Sequence, residues 1–181
     1  ETSFNYHSRK SIMTKNKPVT IFIADDHPVF RKGLRDIIAE EQSFVVVGET
    51  GDGSQVLALV RALQPTVLLL DINMPGTNGL EIAETLHKKN EDIRIVILTM
   101  HNEERLFNKA MDIGVSGYIL KESAVNEILD GIKSVVQDEY YISPAISKYL
   151  MNRKTKADSA REKNPGLDSL TATERKILKL I

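Results

Sequence analysis

Apolar and polar positions fall into two alternating kinds of block along this chain. Short runs that are apolar at nearly every position, Val19–Ala24, Phe44–Gly48, Thr66–Leu70, Ile93–Leu98 and Gly117–Leu120, read as strands. Between them apolar residues recur three and four positions apart: Phe30, Leu34, Ile37 and Ile38; Val56, Leu59, Val60 and Leu63; Ile82, Ala83 and Leu86; Val125, Ile128, Leu129, Ile132 and Val136. That spacing gives each stretch one apolar helical face. Punctuation agrees with the blocks. Asp52, Asn102 and Ser123 stand where N-caps belong, Glu103 and Glu104 would lie in a first turn, and Pro65 ends the second helix. Strands that are apolar throughout, rather than at every second position, are buried on both faces. Five strand–helix repeats of this kind predict an α/β fold: a doubly wound, five-stranded parallel sheet with right-handed crossovers. Such a sheet carries its site outside the carboxyl ends of its strands.

The rhythm changes after Gln137. Ser143-Pro144 is a helix start and predicts a short helix near 144–151. Residues 152–166 are polar and aperiodic and read as a solvated linker, Arg153, Lys154 and Lys156 included. In LTATERKILKLI, Thr171 and Glu174 form a capping box ahead of an apolar stripe of Ile177, Leu178 and Ile181. One amphipathic helix of this length does not fold alone. The expected division is a leader over 1–17, a sheet domain over 18–137, a linker over 138–167, and the first helix of a truncated all-α domain over 168–181. Met13 and the Lys-rich residues after it look like the natural start, with 1–12 foreign to it.

Composition narrows the setting. Of 181 residues, 41% are apolar, enough for one good core. The 24 basic and 25 acidic residues nearly cancel, so no global charge argues for nucleic acid. The absence of cysteine excludes disulfides and thiolate metal sites and suits a reducing cytoplasm. No apolar run approaches the roughly 20 residues a membrane-spanning helix needs.

The chemistry gathers at the strand ends. Asp25 and Asp26 follow the first strand, Asp71 and then Asn73 the third, Thr99 the fourth and Lys121 the fifth. Three carboxylates in one cleft repel unless a cation neutralises them, and hard oxygens without a thiolate or imidazole set favour Mg²⁺ or Mn²⁺. A lysine and a hydroxyl facing the same cleft suit a phosphoryl group beside the metal. An aspartate between a metal and an ammonium can attack phosphorus to give an acyl phosphate.

The Asp-Asp pair, LLLDINMPGTNG, ILTMH and GYILK, in this order and at these separations, resemble the receiver domain of two-component response regulators, a flavodoxin-like (βα)5 fold. The resemblance covers residues 18–137. It implies that Asp71 is the phosphoacceptor and that Asp25 and Asp26 hold Mg²⁺ together with Asp71 and the backbone carbonyl of Asn73. It further implies that Thr99 is the switch hydroxyl, Lys121 pairs with the phosphoryl group, and Tyr118 is the aromatic that moves with Thr99. Two positions depart from the family's common pattern: Glu122 stands where many receivers have proline, and Met100 where alanine or glycine is frequent. The longer Met100 side chain is expected to narrow access to Asp71. Residues 170–181 resemble the opening helix of a LuxR-type helix-turn-helix, with Thr173 in place of the usual arginine. The layout is similar to the NarL/LuxR class of transcription regulators.

The resemblance implies a phosphorylation-dependent switch rather than an enzyme. Its partners would be a sensor histidine kinase, promoter DNA through a complete C-terminal domain but not through this chain, and, on phosphorylation, a second copy. Self-phosphorylation and self-dephosphorylation would be slow at most. Two alternatives remain at this level. One is a Mg²⁺-dependent phosphatase of the haloacid-dehalogenase kind, which places its nucleophile on the first strand. The other is a stand-alone receiver acting by protein contacts. His27 and His101 have no second imidazole spaced to join them and read as bystanders at the rim.

Overall fold

The computed structural model describes residues 17–89 and 92–163. The strands are β1 (Val19–Ala24), β2 (Phe44–Thr50), β3 (Val67–Asp71), β4 (Arg94–Thr99), β5 (Gly117–Leu120) and β6 (Tyr141–Ile142). The helices are α1 (Pro28–Ile38), α2 (Gly53–Leu63), α3 (Gly79–Lys88), α4 (Glu104–Ile113), α5 (Ala124–Val136) and α6 (Ser147–Lys163). All strand pairs are parallel and the order across the sheet is β2-β1-β3-β4-β5-β6. The sheet therefore has six strands where the sequence predicts five. The addition is two residues long, too short to leave a periodic signal.

The pleat divides the core in two. Phe22, Leu68, Leu70, Ile97, Tyr118 and Leu120 face α2, α3 and α4. Ile21, Ile23, Leu69, Val96, Leu98 and Ile119 face α1 and α5. Adjacent strand residues point to opposite faces, so both faces must be covered, which is why these strands carry no polar alternation.

Several helix starts differ from expectation. Asp52 caps α2 as predicted, accepting from Ser54 N–H. Asn102 does not cap α4: the residue before that helix is Glu103, and the oxygens of Asn102 instead receive the Tyr149 hydroxyl. Ser123 precedes α5 without a side-chain capping bond.

The largest difference lies past the sheet. A 3₁₀ turn, Pro144–Ile146, leads into α6, which continues to Lys163 instead of stopping near residue 151. The helix has no apolar stripe in its later turns; α4 holds it by polar pairs. Arg153 Nη2 lies 2.5 Å from Asp112 and Lys156 Nζ 2.9 Å from Glu104, while Asn152 donates to Glu104 at 3.2 Å. Arg153 is thus partnered and largely covered, whereas Lys156 has a partner but stays 73% exposed, as expected of a solvated position. The expected first helix of a truncated domain over 168–181 lies outside the described residues, as does the expected leader over 1–17 apart from its last residue. Among the described residues no helix is long and apolar enough to cross a membrane.

Candidate functional site

The chain leaves β1 to build β2 on one side and returns to add β3 on the other, so the order reverses between β1 and β3. Neighbouring connections diverge there and open a cleft at the carboxyl ends. Asp25 and Asp26 follow β1 and Asp71 ends β3, so all three carboxylates sit at this reversal.

Asp25 is fully buried and Asp71 is 3% exposed. The Lys121 ammonium lies 2.7 Å from Asp25 Oδ2 and 2.7 Å from Asp71 Oδ2. Only the contact to Asp71 is aligned as a hydrogen bond; Asp25 Oδ2 has none, and neither has Asp26 Oδ1. Phe30 on α1 lies beneath the ammonium, 5.2 Å from Nζ to the ring centroid. The side-chain oxygens of Asp25, Asp26 and Asp71 and a ring nitrogen of His27 lie within 4.8 Å of one another. One ammonium among three carboxylates leaves net negative charge in a cleft with solvent-shielded, unbonded oxygens. Hard oxygen donors of that kind fit a small divalent cation.

Burial pushes the Asp71 carboxyl above the ordinary carboxylate range; the Lys121 hydrogen bond and charge pull it down, Asp25 raises it, and the Asn73 backbone bond lowers it. The turn after β3 is pinned closely. A side chain at Gly79 would place its Cβ 2.0 Å from the Asp71 carbonyl oxygen, so only glycine lets α3 start against the end of β3.

Thr99 is buried at the end of β4, and its Oγ1 accepts from His101 N–H at 3.0 Å. Lys121 N–H donates to the Thr99 carbonyl at 2.9 Å, tying the lysine's strand end to the threonine's. Tyr118 is buried and packs edge-on against Phe107, with ring centroids 5.4 Å apart; burial raises its hydroxyl pKa, and the hydroxyl has no hydrogen bond. Phe107 in turn meets Tyr149 of α6 at 5.9 Å.

Asn73 is exposed at the rim, its side-chain amide 2.5 Å from His101 Nε2. His27 Nδ1 lies 2.7 Å from Asp26 Oδ1. Both histidines lie at the rim and touch residues of the site. Sequence spacing did not show these contacts because the neighbours are a carboxylate pair and an amide, not imidazoles. It also missed Phe30 and Arg31; Arg31 donates to the Asp25 carbonyl and reaches Glu49. Met100, next to Thr99 at the end of β4, is 69% exposed.

Comparison with known proteins agrees with this geometry. Residues 21–133 match the family model described as the response regulator receiver domain. The nitrate/nitrite response regulator protein NarL of Escherichia coli K12 is 36% identical over 171 residues, covering 93% of this chain and 77% of that protein. The transcriptional regulatory protein DegU of Brevibacillus brevis is 36% identical over 139 residues, covering 77% of this chain and 58% of DegU. A LuxR-family two-component response regulator from Aurantimonas sp. SI85-9A1 superposes with a TM-score of 0.71 at 29% identity, over 77% of this chain and 99% of that one. The chain belongs to the two-component response regulators of the NarL/LuxR class, and its sheet domain is their receiver domain. That membership sets aside the haloacid-dehalogenase alternative, whose nucleophile would lie on β1.

Proposed function

We propose that the chain is a switch that accepts a phosphoryl group on Asp71 from a sensor histidine kinase, with Mg²⁺ held by Asp25, Asp26, Asp71 and the Asn73 carbonyl. The observation that carries this reading is the Lys121 ammonium set 2.7 Å from both Asp25 and Asp71 in a nearly closed site. An Asp71 oxygen attacks phosphorus, the bond to the donor's imidazole nitrogen breaks, and the imidazole leaves with that electron pair. Mg²⁺, or Mn²⁺ in its place, supplies positive charge for the equatorial phosphoryl oxygens. Lys121 offsets the charge that remains on the adduct. Thr99 turns its hydroxyl from the His101 N–H toward the phosphoryl oxygen, and Tyr118 follows.

The outcome is a shift between two packings, driven by the phosphoryl group's better contacts in one of them. The stack Tyr118–Phe107–Tyr149 supports a route from the switch into α6 and so toward a C-terminal DNA-binding domain. The likeness to DegU, a transcriptional regulatory protein, and to a LuxR-family response regulator supports control of promoter DNA as the output. The same reading makes the protein cytoplasmic, and makes turnover of its own phosphoryl group slow. A small acyl phosphate donor with Mg²⁺ should load one phosphoryl group per chain. Asp71→Asn should load none; an adduct of equal yield on that variant would overturn the assignment.

A further inference from the structure

Three contacts converge on one atom that this reading does not use. His27 Nδ1 lies 2.7 Å from Asp26 Oδ1, 3.2 Å from Asp25 Oδ1 and 3.4 Å from Lys121 Nζ. A ring nitrogen offers either one proton or one lone pair. With the proton, Nδ1 satisfies one carboxylate and turns an N–H toward the ammonium. With the lone pair, it accepts from Lys121 and faces two carboxylate oxygens. Neither arrangement satisfies all three neighbours. Asp26 Oδ1 is shielded from solvent and has no hydrogen bond even though Nδ1 is 2.7 Å away. A cation shared by Nδ1 and the carboxylate oxygens gives each of them a partner and leaves the Lys121 ammonium to its hydrogen bond with Asp71.

The spacing fits one. Neighbouring ligands on an ion with bonds near 2.1 Å lie about 3.0 Å apart. The 2.7 and 3.2 Å separations from Nδ1 bracket that edge. The span of 4.8 Å across all four donor groups is a little wider than the roughly 4.2 Å expected across such an ion, so a small inward movement closes the set. The backbone already holds His27 in place. Its N–H donates to Asp25 Oδ1 at 2.8 Å, and its carbonyl accepts from Arg31 N–H at 3.0 Å as α1 begins. The side chain is 61% exposed and can turn without disturbing the core.

We propose that His27 is a metal ligand that sets the ion specificity of this cleft. It adds an imidazole nitrogen to the carboxylates of Asp25, Asp26 and Asp71, so the chain takes borderline divalent ions such as Co²⁺, Ni²⁺ and Zn²⁺ in competition with Mg²⁺. The inference rests on the cation-binding role proposed for the carboxylates. Mg²⁺ prefers oxygen and sheds water reluctantly, so it gains little from an imidazole. The borderline ions bind imidazole well and gain a full ligand.

The test titrates the full chain and His27→Ala with CoCl₂ and with MgCl₂ by calorimetry, and records the proton NMR spectrum of the Co²⁺ form. Loss of the ligand weakens Co²⁺ binding by about tenfold or more, while Mg²⁺ binding changes by less than about twofold. The native Co²⁺ form shows a strongly shifted, exchangeable imidazole N–H resonance that vanishes in His27→Ala and survives in His101→Ala. Equal weakening of both ions makes His27 a structural residue and overturns the proposal. Unchanged Co²⁺ affinity, or a shifted resonance that follows His101 instead, overturns it as well. If neither ion binds the unaltered chain, the cation site itself falls and takes this inference with it.

Discussion

The Lys121 ammonium lies 2.7 Å from Asp71 Oδ2, and both side chains are 4% exposed. A buried charge pair costs desolvation twice, and breaking it by removing one partner leaves the other uncompensated. Here Lys121 serves two carboxylates at once, so its loss strands Asp25 as well as Asp71. Lys121→Met should destabilise the metal-free protein by about 3 kcal/mol. Mg²⁺ should recover more stability in the variant than in the native chain, because the ammonium no longer competes for the same oxygens. Urea unfolding with EDTA and with Mg²⁺ measures both. An unchanged midpoint in EDTA would show that the ammonium is not the neutralising charge.

Asp71 gives a pH signature. Burial raises its folded pKa above the ordinary 3.8. The folded state then binds the proton more tightly than the unfolded state, so this contribution to stability is fully present below 3.8 and is lost as pH rises through the folded value. Asp71→Asn lacks that loss. Without metal, its stability relative to the native chain should increase from pH 4 to pH 7. Thermal midpoints across that range test the sign, and a difference that shrinks with rising pH contradicts it.

Tyr118 buries a hydroxyl with no hydrogen bond. An unsatisfied buried polar group is a cost that phenylalanine would not bear. Tyr118→Phe should leave stability unchanged or raise it by about 1 kcal/mol. Denaturant unfolding reads this effect; a clear loss of stability would mean the hydroxyl has a partner.

The strands and most of the helices were legible because their signal is periodic and local. The cleft was legible because the carboxyl ends of four strands each carry a polar residue where apolar runs stop. What the pattern hid depends on distance in space. α6 lacks an apolar face, so a search for one ends it near Met151, whereas the helix runs on to Lys163 and Glu104 and Asp112 of α4 pair with it at Lys156 and Arg153. Asn102 looks like a cap until Tyr149, 47 residues later, takes its oxygens. His27 looks idle because its partners are the two residues just before it, a neighbourhood in which spacing rules for metal ligands find no second imidazole.

The clamp on α6 can be loosened at one atom. The Tyr149 hydroxyl lies 2.9 Å from the Asn102 carbonyl and 2.8 Å from its side-chain oxygen. Tyr149→Phe keeps the ring against Phe107 and removes only this bond, a loss of about 1 kcal/mol. Hydrogen exchange should quicken across 147–156 and stay unchanged in β1 and β3. Uniform quickening over the sheet would mean that Tyr149 supports the whole domain and not the helix.

The central claim is that the phosphoryl group goes to Asp71 and to no other carboxylate. Borohydride reduction of an aspartyl phosphate leaves homoserine at the modified position, which peptide mass mapping locates. After loading with an acyl phosphate donor in Mg²⁺, the account predicts homoserine at position 71 in the native chain, none after loading in EDTA, and none in Asp71→Asn. Homoserine at position 25 or 26, or at position 71 with equal yield in EDTA, would contradict it.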